Sequence, residues 1–352
     1  MKIFITGGAG FVGSHLAKEF KSSGHDVTCF DNLKRRGSEI NLARFKELGI
    51  SFVHGDVRNL NDLMSINQNF DLMIEASAEP SVLAGLDGSP DYLIQTNILG
   101  AYHCLEFVRK QVGAIVFLST SRVYSLQALK DIQLNETSSR FEIAPKQNLN
   151  GVSTSGVNED FPVDTARSLY GASKLAGELL VQEYANSFKV NAVINRCGVI
   201  AGAGQFGKVD QGVFTLWVAN HFFNKSLKYT GFGGTGKQVR DLLHPTDLYL
   251  LINHQIEKIA QLHGDIFCVG GSTDCSTSML ELTGLCQKYV GQSTTITADL
   301  TTSTVDIPLY ISDNTKARRT FNWKPKKKVE DIVEDIALWM NQNADVLRSI
   351  FT

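Results

Sequence analysis

The first thirteen residues leave this chain little choice of fold. Lys2-Ile-Phe-Ile-Thr6 is a short apolar run of β type, Gly7-Gly-Ala-Gly10-Phe-Val-Gly13 follows without a break, and Ser14-His-Leu-Ala-Lys-Glu-Phe20 reads as helix. Strand, glycine turn and helix in that order build the phosphate-binding corner of a dinucleotide site. Gly7 permits the tight turn, Gly10 lets a pyrophosphate approach the backbone, and Gly13 lets the helix lie close on the strand. The free N–H groups and positive end of the helix then face the phosphates. A second apolar strand, Asp26-Val-Thr-Cys-Phe30, ends at Asp31, 18 residues past Gly13. That spacing is close to the about 20 residues at which a carboxylate holds a ribose diol. Asp31 selects NAD over NADP, because a carboxylate repels a 2′-phosphate. Lys34, Arg35 and Arg36 read as a solvated basic turn.

The rest of the first half continues the α/β alternation. Strand-like runs 50–54, 71–74, 113–118 and 191–195 each end in polar residues, with helical segments between them. This implies a parallel sheet covered on both faces, with ligands in the crevice beyond the strand ends. Residues 1–198 are therefore expected to form the dinucleotide domain, with a segment near 237–270 returning to it. Residues 199–236 and 271–352 form a smaller lobe. The long polar stretch 124–168 reads as a flap beside the site, since loops of that length are usually functional or mobile.

Composition excludes several classes. A length of 352 residues suits two domains, or one large domain with an added lobe, and 43% hydrophobic residues supply a core. A formal net charge of −2 gives no electrostatic reason to expect nucleic acid. The dense basic run, Lys324-Pro-Lys-Lys-Lys328, reads as a solvated turn before an amphipathic helix. The six cysteines lack Cys-x-x-Cys spacing and the eight histidines are dispersed, so no metal site is expected. A reduced, cytoplasmic chain fits that usage. The first apolar segment is too short for a signal peptide. No apolar run approaches the about 18 residues of a membrane span, so no membrane partner is expected.

Tyr170 and Lys174 carry the chemistry suggested by the N-terminus. They lie at i and i+4 in helical Leu169-Tyr-Gly-Ala-Ser-Lys174-Leu-Ala-Gly-Glu, so they share one face. An ammonium beside a phenol favours phenolate and lowers the usual tyrosine pKa of about 10. Tyr170 would then serve as a base near neutral pH. Tyr-x-x-x-Lys by itself is common on surface helices, and it gains meaning from the dinucleotide corner.

Taken in order, Gly7-x-x-Gly10-x-x-Gly13, Asp31-Asn32, Gly55-Asp56-Val57, Asn97, Ser119-Thr120, Tyr170-x-x-x-Lys174 and Gln238-Val-Arg240-Asp241 resemble the extended short-chain dehydrogenase/reductase family over nearly the whole chain. The resemblance implies a Rossmann-type, doubly wound parallel sheet with a smaller α/β C-terminal substrate lobe. It also implies NAD as cofactor and a nucleotide-diphosphate sugar as substrate. A homodimer or homotetramer would form through helices such as 97–109 and 174–188. By the same resemblance, NAD is held by Gly7, Gly10, Phe11, Val12, Gly13, Asp31, Asn32, Asp56, Val57, Ala76, Ala78, Asn97, Ser119, Tyr170 and Lys174. Thr120, Tyr170 and Lys174 are the catalytic set. Glu79, Thr120, Gln205, Gln211 and Arg240 are expected to contact substrate. The alternative for Thr120 is a strand-end hydroxyl satisfying backbone, and for Arg240 an ion pair with Asp241 or Asp247.

Three further segments, Gln205-Phe206, Asp210-Gln211-Gly212 and residues 234–244, are similar to the CDP-tyvelose (CDP-paratose) 2-epimerase branch. Sugar-nucleotide dehydratases of the family carry Asp-Glu directly after the threonine. Here Ser121 and Arg122 stand there, so dehydration lacks its proton donor and base. Epimerisation needs only a base, a hydrogen-bond donor to the sugar oxygen and a retained NAD. C2 is the carbon the resemblance indicates, with C4 the runner-up. A keto-sugar reductase and a non-catalytic NAD-binding scaffold are the competing classes. The chain departs from the family pattern at Ser303, where an arginine usually holds the pyrophosphate, and at Glu75, which opens a stretch that usually begins with histidine.

Overall fold

The computed structural model describes residues 1–86, 88–207 and 211–351. Seven strands make the central sheet: β1 (Lys2–Thr6), β2 (Asp26–Asp31), β3 (Ser51–His54), β4 (Leu72–Glu75), β5 (Ala114–Thr120), β6 (Asn191–Cys197) and β7 (His263–Val269). Their spatial order is 3-2-1-4-5-6-7, and every pairing is parallel. The sheet is thus the Rossmann-type doubly wound arrangement anticipated from the alternation. Its direction of growth reverses between β1 and β4, which opens a crevice at the carboxyl ends of those strands.

Four helices dominate the two covering layers: α1 (Phe11–Ser22), α2 (Gly100–Gln111), α3 (Leu169–Phe188) and α4 (Pro245–Lys258). Side chains alternate across the sheet with a period of two. Ile3, Ile5, Val27, Cys29 and Ile74 pack with Leu16 and Phe20 of α1 and with Leu248 and Ile252 of α4. Phe4, Phe30, Met73, Ile115 and Phe117 pack on the other face with Phe107 of α2 and Val181 of α3. Burial on both faces explains why these strands are apolar throughout rather than at alternate positions.

A second core lies in the C-terminal part. Phe214, Trp217, Leu282, Ile332, Ile336 and Met340 come together from helices Val213–Phe222, Met279–Val290 and Val329–Gln342. Beside it, strand Val239–Leu243 pairs with Val199–Ile200, Ser276–Ser278 and Leu309–Tyr310. Strand Leu227–Thr230 runs parallel to Ile296–Asp299. No described helix is long and apolar enough to cross a membrane.

Segment 124–168 corrects one expectation. In place of the expected flap beside the site stands a packed layer, with helix Leu126–Lys130 and hairpins Leu134–Glu136/Phe141–Ile143 and Val152–Ser153/Gly156–Val157. Tyr124, Leu129, Ile143, Val157 and Phe161 are buried against Val239, Leu309 and Tyr310. Its apolar residues are spaced too irregularly to signal an element, yet they complete a core shared with residues 239 and 307–311.

Candidate active site

A cleft of about 600 Å³ lies at the switch point, within the range of about 300–1,000 Å³ usual for ligand sites. The glycine corner forms one end. Gly10 caps α1 with extended backbone and no side-chain cap, so the first N–H groups of the helix are left for a ligand. Gly10, Phe11, Val12 and Gly13 line the cleft there. At the end of β2, Asp31 is fixed by N–H groups of Ala9 and Leu33, 3.1 and 2.8 Å from its carboxylate oxygens. Asn32, Val57, Ala76 and Ala78 line the same wall.

The donor set, the uncapped helix end and the carboxylate beyond it fit a dinucleotide. A Cβ on Gly13 would stand 2.2 Å from the Gly7 carbonyl oxygen, so α1 sits as close to the turn as backbone allows. Overpacking of this kind costs about 1–3 kcal/mol. Gly13→Ala is therefore expected to lower NAD affinity by about tenfold or more. Nucleotide released from purified protein measures this, and an unchanged NAD content would contradict the assignment.

The chemical end is built where α3 meets β5. Ser168 caps α3 by accepting from the Gly171 N–H at 3.1 Å. A Cβ on Gly171 would lie 2.0 Å from the Arg122 carbonyl oxygen. Only glycine lets the start of α3 press onto the turn at 121–123, and that contact carries Tyr170 to the end of β5. Thr120, Ser121, Arg122, Tyr170 and Lys174 all line this end of the cleft. The Thr120 oxygen accepts from the Arg122 N–H at 3.2 Å. Burial pushes the Tyr170 phenol up to about 12, while the Thr120 hydroxyl and Arg122 guanidinium beside it pull the other way.

The lysine behaves differently from the simple i, i+4 expectation. Lys174 is buried and paired to Glu75 at 3.3 Å, with its ammonium 4.1 Å from the centre of the Phe117 ring. Glu75 balances its charge, and the Arg122 guanidinium draws Tyr170 toward ionisation. Burial thus raises the phenol where spacing alone predicts that the ammonium lowers it.

Three expected ligand residues stand behind the walls rather than on them. Asp56 receives Asn32 Nδ2 at 2.9 Å and is gripped by Arg58 at 2.7 Å. Asn97 ties the 76–79 loop to α3: its Oδ1 accepts from the Glu79 N–H at 2.8 Å, and its Nδ2 donates to Ser173 Oγ at 2.9 Å. Arg240 is turned to Asp306 at 2.9 Å, an ion pair with a different acid from those expected. None of the three is among the cleft-lining residues. Ser119 reaches the cleft but donates to the buried Glu178. Glu79, Gln205 and Gln211 line the cleft, and Gln211 Oε1 is buried without a partner among the described atoms. Asp210 lies outside the described residues.

Sequence reasoning missed His15 as a tether. Its ring Nε2 lies 2.7 Å from the Ala203 carbonyl oxygen, and burial lowers its pKa to about 4. The neutral ring donates across to the loop at 203–206, and Arg35 donates to the Phe206 carbonyl at 3.2 Å. That loop also lines the cleft, so it is bound to elements on the dinucleotide side.

Residues 3–270 match the NAD dependent epimerase/dehydratase family. The CDP-paratose 2-epimerase of Salmonella typhi is 32% identical over 96% of this chain and 99% of its own length. The dTDP-glucose 4,6-dehydratase of Streptomyces niveus is 25% identical, covering 97% of this chain and 94% of its own. In fold, the UDP-glucose 4-epimerase of Thermotoga maritima, solved with UDP-glucose, superposes with a TM-score of 0.77 at 21% identity, over 98% of this chain and all of that one. The glycine corner, the acid ending β2 and the tyrosine–lysine helix over the switch point agree with these matches: the chain belongs to the NAD-dependent epimerase/dehydratase family, as an extended short-chain dehydrogenase/reductase enzyme that works with NAD.

Proposed function

We propose that this protein inverts C2 of a nucleotide-diphosphate sugar through a transient keto sugar. Tyr170 beside Thr120, with Ser121 and Arg122 in place of an acid pair, is the observation that carries the reading. NAD, when bound, supplies hydride transfer in both directions. Tyr170 takes the proton of the sugar hydroxyl, Thr120 hydrogen-bonds the oxygen as it becomes a carbonyl, and the new phenol returns the proton after the sugar has presented its other face. Lys174 serves the ribose end and the charge balance of the pair with Glu75. Ser121 and Arg122 offer no carboxyl to protonate a leaving hydroxyl, which weighs against dehydration.

The tie of the 203–206 loop to His15 and Arg35 favours a retained cofactor, as epimerisation requires, over the exchange a reductase needs. The 2-epimerase likeness supports C2. Incubation with a panel of nucleotide sugars, read by NMR, should return the C2 epimer with deuterium at the reacting carbon retained. Inversion at C4 instead would overturn the regiochemistry, and loss of label to solvent would overturn the hydride mechanism.

We also propose that two copies meet through α2 and α3 in the cytoplasm. Leu99, Tyr102, Leu179 and Phe188 are large apolar side chains left exposed on or beside those helices, and apolar surface left exposed on packed helices supports an association face. Leu179→Glu with Phe188→Glu is expected to convert a dimer to a monomer in light scattering. A wild-type protein that is already monomeric would refute this surface.

A further inference from the structure

Five cationic side chains line the cleft among the described residues, and they divide by position. Lys34, Arg35 and Arg36 lie with Asp31 at the dinucleotide end, while Lys174 is paired to Glu75. Arg122 is at the reaction end, and no described carboxylate lies within ion-pair distance of it. Its guanidinium makes one long hydrogen bond, from Nη1 to the Val305 carbonyl at 3.3 Å. Asp306, the acid whose charge acts on it, is held by Arg240 at 2.9 Å. Burial and the Arg240 charge lower Arg122 to about 10, which marks a cation short of compensation. Such a group in a ligand cleft is satisfied by an anion the ligand brings.

The position of Arg122 identifies the anion. Its side chain starts two residues after Thr120, lies near Tyr170 and ends against residue 305. It therefore spans from the reacting hydroxyls to the turn closed by the Asp306 N–H and the Ser303 carbonyl. In a nucleotide sugar, the sugar-proximal phosphate is bonded at C1, and C2 is the adjacent carbon. A cation beside Tyr170 can meet that phosphate if C2 is the reacting centre, whereas C4 lies across the ring from it. Arginine's planar fork suits two phosphate oxygens at once.

We infer that Arg122, from the turn after β5, is the binding residue for the sugar-proximal phosphate. This rests on the nucleotide-sugar reading and adds to it where the second phosphate sits and why the reacting carbon adjoins it.

Calorimetry on the NAD-loaded protein with CDP against CMP, and UDP against UMP, tests it, because each diphosphate differs from its partner only by that phosphate. The wild type should prefer the diphosphate of the base it recognises. Arg122→Gln should weaken that diphosphate about 10- to 100-fold and leave the monophosphate unchanged, and Arg122→Lys should restore part of the difference. NAD content and melting temperature establish that each variant is folded. A diphosphate preference undiminished in folded Arg122→Gln overturns the inference while leaving C2 epimerisation intact. Failure of the wild type to bind any of the four nucleotides would instead remove the nucleotide-sugar reading beneath it.

Discussion

Tyr170→Phe should lower turnover by about 10²- to 10⁴-fold, the usual contribution of a positioned acid–base group, while NAD content and thermal stability stay near wild type. The ring stays and only the hydroxyl is lost, so the packing of α3 on β5 is kept. The pH profile carries the sharper signature. Burial pushes the phenol up to about 12, and the reaction begins from phenolate. Turnover should therefore climb with pH through the neutral range and level off above the pKa of the loaded enzyme. Arg122 draws the phenol toward ionisation, so its replacement by glutamine should move that climb to higher pH. A Tyr170→Phe enzyme of near-normal turnover, or a profile that falls with rising pH, would assign the proton to another group.

What could be read from the sequence, and what could not, divides along physical lines. The glycine corner was legible because it is local: turn, close approach and helix packing lie within thirteen residues. The sheet was legible because burial on both faces writes apolar strands at regular intervals. Tyr170 lines the cleft, but the balance of charges on its phenol could not be read from spacing. Spacing on one helix shows which side chains share a face but not what a neighbouring strand aims at them, and here β4 sends Glu75 to Lys174. A signal for this was present: Glu75 ends the otherwise apolar run Leu72-Met-Ile, and a charge on a buried strand demands a partner. The identity of the partner, 99 residues away, was not readable. Arg240 shows the same limit. Its motif marked it for the ligand, but the competition of Asp306 and the Ile307 carbonyl is a property of the folded chain alone. Segment 124–168 misled for another reason: its hairpins are stabilised by contacts to strands more than eighty residues further on, which leave no periodic trace.

Breaking the Glu75–Lys174 pair should have the largest effect on stability. Both side chains are nearly inaccessible, at 2% and 3% exposure. Removing one partner from such a pair leaves an uncompensated buried charge and costs about 3–5 kcal/mol, whereas replacing both with apolar side chains of similar size is often neutral or stabilising. In urea unfolding of NAD-free protein, Glu75→Leu should fall by about that amount and Glu75→Leu/Lys174→Met should recover most of it. Equal destabilisation in single and double variants would mean that the two side chains act independently. The pair also bears on catalysis, because the Glu75 charge helps to hold the Tyr170 phenol up. Glu75→Gln keeps shape while removing that charge and freeing the ammonium's field. Tyr170 should then ionise more easily, and the climb in turnover should shift to lower pH even if the maximum rate is reduced. A folded Glu75→Gln enzyme with an unmoved profile would confine Glu75 to a structural role and require Lys174 to act on Tyr170 only after its partner has been displaced.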